Sequence, residues 1–265
     1  MTNARTARAV REQKAAEMRL QAARSQRRRR SAAIAGTVIA VLILAVGIGV
    51  LVQTARSSSA AAGGTPRNLT DGAIMVGKPS AKVTLTLYED FQCPVCQEFE
   101  TESGKQIATW VKNGTVKVAY RPVAFLNRES TTQYSTRALD AAAAVVDSDP
   151  GAFQAFHDLL YAQQPPEGSA GLTDAALVQL AGQAGVPTAA VQQALKDKQF
   201  EGWVTRVTDQ ASKDGVVGTP TILVNGQKLS SFGLPEMQAA VQAALKGGTS
   251  TSTPSPSGSV SPSTP

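Results

Sequence analysis

The chain has 265 residues, with 26 Lys and Arg against 20 Asp and Glu and a formal charge of +6. The excess is local: residues 1–30 carry ten Lys or Arg and two Asp or Glu, a net of +8, so residues 31–265 net −2. Positive charge confined to a tail that stops at a hydrophobic run argues against the basic face of a nucleic-acid-binding domain, and no nucleic-acid partner is expected.

Residues 31–52 are 22 positions without a charge. At about 1.5 Å per residue a helix of that length crosses a bilayer core of about 30 Å, so a transmembrane helix is predicted. Arg24 and the run Arg27, Arg28, Arg29 and Arg30 directly precede it, and Lys/Arg excess marks the cytoplasmic side. The expectation is a single-pass protein of the cell membrane: a basic cytoplasmic tail over 1–30, a span over 31–52, and everything after it outside. The competing reading is a cleaved signal peptide, with small residues at Ala60, Ala61 and Ala62. The apolar run is longer than the usual signal-peptide core of about 7 to 15 residues. Residues 53–66, rich in Ser, Ala and Gly, suit a flexible linker. At the far end residues 247–265 are almost all Ser, Thr, Pro and Gly, too poor in apolar groups to offset the entropy of ordering, and are expected to be a disordered tail.

The foldable domain is therefore residues 67–246. Val83 to Tyr88 reads Val-Thr-Leu-Thr-Leu-Tyr, the composition of a strand, and residues 116–125 form a second strand candidate. Between them Cys96, Phe99, Ile107 and Trp110 define the apolar face of a helix that Asn113-Gly114 stops. From Thr131 to about Ser212 the pattern is helical. A strand returns at Thr221 to Val224, Asn225-Gly226 makes a hairpin turn, and Pro235 opens a last helix.

The chain has two cysteines, and they form one C-x-x-C, Cys93-Pro94-Val95-Cys96, after a strand and at a helix start. The unsatisfied N–H groups and positive end of a helix favour a thiolate, the form that attacks a disulfide, which points to Cys93 as nucleophile. Cys96, three residues along the first turn, faces it and can close the bridge. A structural disulfide is the plainer reading, but a loop so short constrains the unfolded chain little. A zinc site lacks ligands: the chain has one histidine, His157, remote in sequence and set among apolar residues as a core residue would be, so no metal is expected. Gly218-Thr219-Pro220-Thr221 precedes the returning strand, an ordinary place for a proline.

The strings Tyr88-Glu89-Asp90-Phe91-Gln92-Cys93-Pro94-Val95-Cys96, Phe156-His157-Asp158-Leu159-Leu160 and Gly218-Thr219-Pro220-Thr221, in that order, resemble the DsbA-like thioredoxin family, and within it the tethered bacterial members. The resemblance covers roughly residues 70 to 246. It implies an α/β thioredoxin fold with a helical insertion near 128–212. It further implies a cis Pro220 against the cysteine pair, and a substrate groove made of Pro94, Val95, Gly218, Thr219 and Pro220. Two departures stand out. Leu87 occupies the position, six residues before Cys93, where some relatives bury a carboxylate, with Glu89 and Asp90 close by. Pro94-Val95 lacks the histidine of the family's strongest oxidants, which implies a milder one.

The function expected is a thiol-disulfide oxidoreductase that introduces disulfides into exported proteins, using its own Cys93–Cys96 disulfide and no further cofactor. A monomer is expected, reoxidised by a DsbB-like or vitamin K epoxide reductase-like membrane partner. The alternatives are a reductase or isomerase outside the cytoplasm, and a non-catalytic module that binds through the thioredoxin groove.

Overall fold

The computed structural model describes residues 63–247; the basic tail, the span expected at 31–52, most of the linker and the Ser/Thr/Pro tail lie outside the described residues. Among the described residues, no helix is long and apolar enough to cross a membrane.

Five strands form one mixed sheet: β1 (Ile74–Val76), β2 (Val83–Tyr88), β3 (Val116–Tyr120), β4 (Thr221–Val224) and β5 (Gln227–Lys228), in the order β1-β3-β2-β4-β5. Along β2 the apolar Val83, Leu85 and Leu87 are fully buried while Thr84 and Thr86 are less so, the alternation of a pleated strand. β2 lies parallel to β3 and antiparallel to β4, which puts it at the centre. The parallel pair needs a crossover, and α1 (Pro94–Asn113) supplies it. Proline is welcome in its first turn, having no N–H to satisfy there. Gly114 ends it in the left-handed region at φ 78, its amide turned back onto the Trp110 and Val111 carbonyls. The expected apolar face, Cys96, Phe99, Ile107 and Trp110, is buried.

The strand expected over residues 116–125 stops at Tyr120. Pro122 has no amide to give a ladder, while Arg121 N–H and Val123 N–H on either side of it still reach the Leu87 and Glu89 carbonyls, each at 2.8 Å. A short 3-10 turn, Phe125–Arg128, follows. The helical insertion comprises α2 (Tyr134–Ser148), α3 (Phe153–Ala162), α4 (Asp174–Gln183), α5 (Thr188–Asp197) and α6 (Glu201–Lys213). α2 packs against the other four, and its Ala141, Ala142, Ala143 and Ala144 are buried, small side chains that let several helices approach one. Asn225 and Gly226, both at positive φ, turn β4 into β5, and α7 (Leu234–Leu245) closes the domain.

Residues 63–67 are tied to the insertion. Gly64 N–H donates to the Gln199 carbonyl at 2.8 Å, Arg206 donates to Thr65 Oγ1 at 2.9 Å, and Arg67 pairs with Asp147 at 3.0 Å.

Gly171, in the loop before α4, sits at φ 72 with Tyr134 so close that a Cβ would lie 2.2 Å from its ring. Gly171→Ala should therefore incur the left-handed strain of about 1–2 kcal/mol and an overpacking cost of about 1–3 kcal/mol. Gly185→Ala, at φ 95 with nothing within 4 Å, should show the strain alone. Urea unfolding of the two variants checks this; equal losses would refute the close packing.

Candidate active site

The end of β2 delivers the chain to a loop, Glu89 to Gln92, whose organising group is the buried carboxylate of Asp90. Its Oδ1 accepts from Gln92 N–H at 2.9 Å and from Ser135 Oγ at 2.7 Å, and its Oδ2 from Leu126 N–H at 2.9 Å. Its carbonyl accepts from Cys93 N–H at 2.9 Å and from the Tyr161 hydroxyl at 3.3 Å. Burial pushes the Asp90 carboxyl up, and these donors work against that shift. Gln164 adds a clamp, its Nε2 donating to the Phe91 and Cys93 carbonyls at 3.1 and 3.0 Å. The loop is thus fixed by α2, α3 and the 3-10 turn before any chemistry begins.

Cys93 is the N-cap residue of α1, and Cys96 lies one turn on; neither is bridged in this structure. Cys93 retains 6 % of its surface and Cys96 none. The Cys93 thiol is lowered to about 6, first by a hydrogen bond from the Cys96 thiol, then by the Thr219 side chain and the Cys96 and Val95 amides, against burial that raises it. Cys96 is pushed far up, by burial first, then by its bond to Cys93 and the negative charge of Glu89. One sulfur is ionised near neutrality and reachable; the other holds its proton and donates it to the first.

Across from the cysteines the Thr219–Pro220 peptide bond is cis, and Cys93 as a thiol donates from Sγ to the Thr219 carbonyl at 3.5 Å. The antiparallel register of β2 and β4, Tyr88 opposite Thr221, sets that meeting. Cys93, Pro94, Val95, Gly218 and Thr219 line one cavity of about 590 Å³ with Phe125. Pro220 lies in the adjoining depression, between Val217, 91 % exposed, and Phe232, 40 % exposed. These two are exposed large apolar side chains in that depression.

Leu87 is fully buried in the sheet. Two residues on, Glu89 is buried against His157, Oε2 to Nε2 at 3.2 Å. The helical spacing that reads His157 as a core residue agrees with its burial among Phe91, Tyr120, Phe153 and Tyr161, but the residue also has a carboxylate partner. Sequence reasoning did not find Ser135, Tyr161, Gln164 or Glu100 near the site. Each lies outside the C-x-x-C or on a distant element, and no local pattern links them to it.

A thioredoxin family model matches residues 69–243. Disulfide bond formation protein D of Bacillus subtilis is 27% identical over 179 residues, covering 66% of this chain and 78% of that protein. Among solved structures, oxidised BdbD from Bacillus subtilis superposes with a TM-score of 0.61 at 27% identity, covering 69% of this chain and 97% of that one. The reduced disulfide bond oxidoreductase DsbG of Mycobacterium tuberculosis gives 0.58 at 30% identity, over 65% of this chain and 87% of that one.

Iodoacetamide labelling of the reduced protein should give a midpoint near pH 6 at Cys93 and leave Cys96 unlabelled while the fold is intact. Because the Cys96 thiol is the largest of the lowering influences, Cys96→Ala should move that midpoint toward the ordinary value of about 8.5. Cys96→Ser keeps a donor and should move it less. An unchanged midpoint in the alanine variant would remove Cys96 from the account. Linkage gives a matching sign for stability. A thiol depressed in the fold stabilises the reduced protein above its unfolded value, about 8.5, and this is lost as pH falls through about 6.

Proposed function

The chain belongs to the DsbA-like thioredoxin-fold family, and on that premise we propose that Cys93 and Cys96 are the redox pair with which it introduces disulfides into exported proteins. The observation that carries this reading is a thiol lowered to about 6 at a helix N-terminus, touching the Thr219 carbonyl beside an exposed apolar margin.

In the oxidised enzyme a substrate thiolate attacks Sγ of Cys93, the S–S bond breaks, and Cys96 leaves and takes up a proton, as its raised value favours. A second substrate thiolate then attacks the substrate sulfur of the mixed disulfide. Cys93 leaves as a thiolate, a good leaving group because its protonation is disfavoured near neutrality. Two electrons pass to the enzyme and one disulfide is left in the substrate. Stabilising the reduced thiolate makes the bridge more oxidising, which favours donation of disulfides over reduction. Gly218 and Thr219 offer backbone to the substrate strand, and Pro94, Val95 and Pro220 shape its bed.

Reoxidation falls to a membrane partner of the DsbB-like or vitamin K epoxide reductase-like type. Residues 31–52 anchor the domain outside the cell membrane, a reading supported by their length and the arginines before them.

The full-length oxidised protein, given a reduced unfolded protein, should transfer its disulfide stoichiometrically. Equilibration with glutathione should place the couple above the thioredoxin value of about −270 mV and below about −120 mV. A value at or under the thioredoxin figure would assign a reductase instead. In cells Cys96→Ala should accumulate mixed disulfides with exported proteins and Cys93→Ser none. Protease added to intact cells should remove the domain; a soluble species shortened by about 60 residues would replace the anchor with cleavage.

A further inference from the structure

We propose that Glu89, Glu100 and His157 form a binding site for one divalent first-row metal ion, of the zinc or manganese class, inside the domain and separate from the cysteine sulfurs. The three residues come from different elements: Glu89 from the loop after β2, Glu100 from α1, and His157 from α3. One donor atom of each lies within 4.8 Å of the others, a spacing that a single ion can bridge.

The cluster is more than an ion pair. Glu89 is 2 % exposed, and only its Oε2 is engaged, by His157 at 3.2 Å; its Oε1 and the buried Oε1 of Glu100 have no hydrogen-bond partner among the described residues. Buried polar oxygens without partners are costly. One imidazole nitrogen with carboxylate oxygens is a donor set of zinc and manganese chemistry, with room for water to complete the shell.

The ring that would bind is also held in place, as metal-ligating imidazoles are. Asp158 Oδ1 stands 3.5 Å from its Nδ1, and Tyr120 and Tyr161 pack on it with centroids 4.7 and 4.9 Å away. An entry path exists: a cavity of about 440 Å³ between α1 and α3 is lined by Gln97, Glu100, Gln154 and Asp158. The site adjoins the redox pair without sharing it. Glu100 follows Cys96 by four residues on the same face of α1, and Glu89 acts on the Cys96 thiol through its charge.

The test uses the untagged full-length protein, stripped with EDTA and kept oxidised so that the cysteine sulfurs cannot bind metal. Isothermal titration with zinc chloride and with manganese chloride should show saturable binding of one ion per chain by at least one of them. Glu100→Gln should weaken it by about tenfold or more, since even residues that only support a ligand cost about 10 to 100-fold. Glu98→Gln, an exposed neighbour on α1, should bind as the parent does. Because the chain has one histidine, its imidazole resonances are unique. Manganese should broaden them at substoichiometric amounts in the unmodified protein, a readout that needs no variant. Absence of one-to-one binding by both ions, unaltered affinity in Glu100→Gln, or a sharp imidazole signal with manganese bound would overturn the proposal and leave protons as the occupants of the cluster.

Discussion

A carboxylate removed from water must be surrounded by donors, and Asp90 meets that demand by drawing four parts of the chain to one point. Through it the end of β2 is joined to the amides of Gln92 and Leu126 and to the hydroxyl of Ser135, while its carbonyl holds Cys93 N–H and the Tyr161 hydroxyl. Each of these buried donors would be stranded without it, at the full cost of its desolvation. The Cys93 sulfur therefore sits on a loop that cannot shift without disturbing α2, α3 and the 3-10 turn together. Active-site geometry and cohesion between sheet and insertion are the same set of bonds.

From that fixed point the chemistry follows by electrostatics. Cys93 is the N-cap residue of α1, where the Cys96 thiol first, and then the Cys96 and Val95 amides, lower its own thiol. Cys96 faces the opposite conditions within one turn, fully buried and exposed to the charge of Glu89. Identical side chains three residues apart are driven in opposite directions by their surroundings. The insertion contributes to this through His157 and Tyr161, which sit on α3 and close the space behind the loop.

Much of the frame was legible in the sequence because its signals are local. The alternation in β2, the face of α1, the Asn225-Gly226 turn and Pro235 each depend on residues a few positions apart, and each element lies where it was expected. The three-residue β1 went unnoticed; it exists because β3 pairs with it, Ile74 opposite Tyr120, and so short a run carries no periodicity of its own. The strand expected through residue 125 was too long because apolar character continues past Pro122, which has no amide to give, while the strand itself ends at Tyr120 and a 3-10 turn begins at Phe125. The cysteines and Gly218-Thr219-Pro220 stand in motifs, and the structure brings Cys93 to the Thr219 carbonyl. The link between Asp90 and Ser135, 45 residues apart, and the Glu89–His157 pair, 68 apart, arise only when the insertion folds back onto the sheet.

The attachment of residues 63–67 has a mechanical meaning. Tension applied to the chain ahead of Gly63 passes first into α6 through Arg206 and the Gln199 carbonyl, and then through Arg67 into the end of α2 at Asp147. The strand that leads to Cys93 begins twenty residues further on, at Val83. Load is thus taken up by the hydrogen bonds to the helical insertion before it reaches the sheet. The loop that carries Cys93 is shielded from strain at the point where the polypeptide enters the domain.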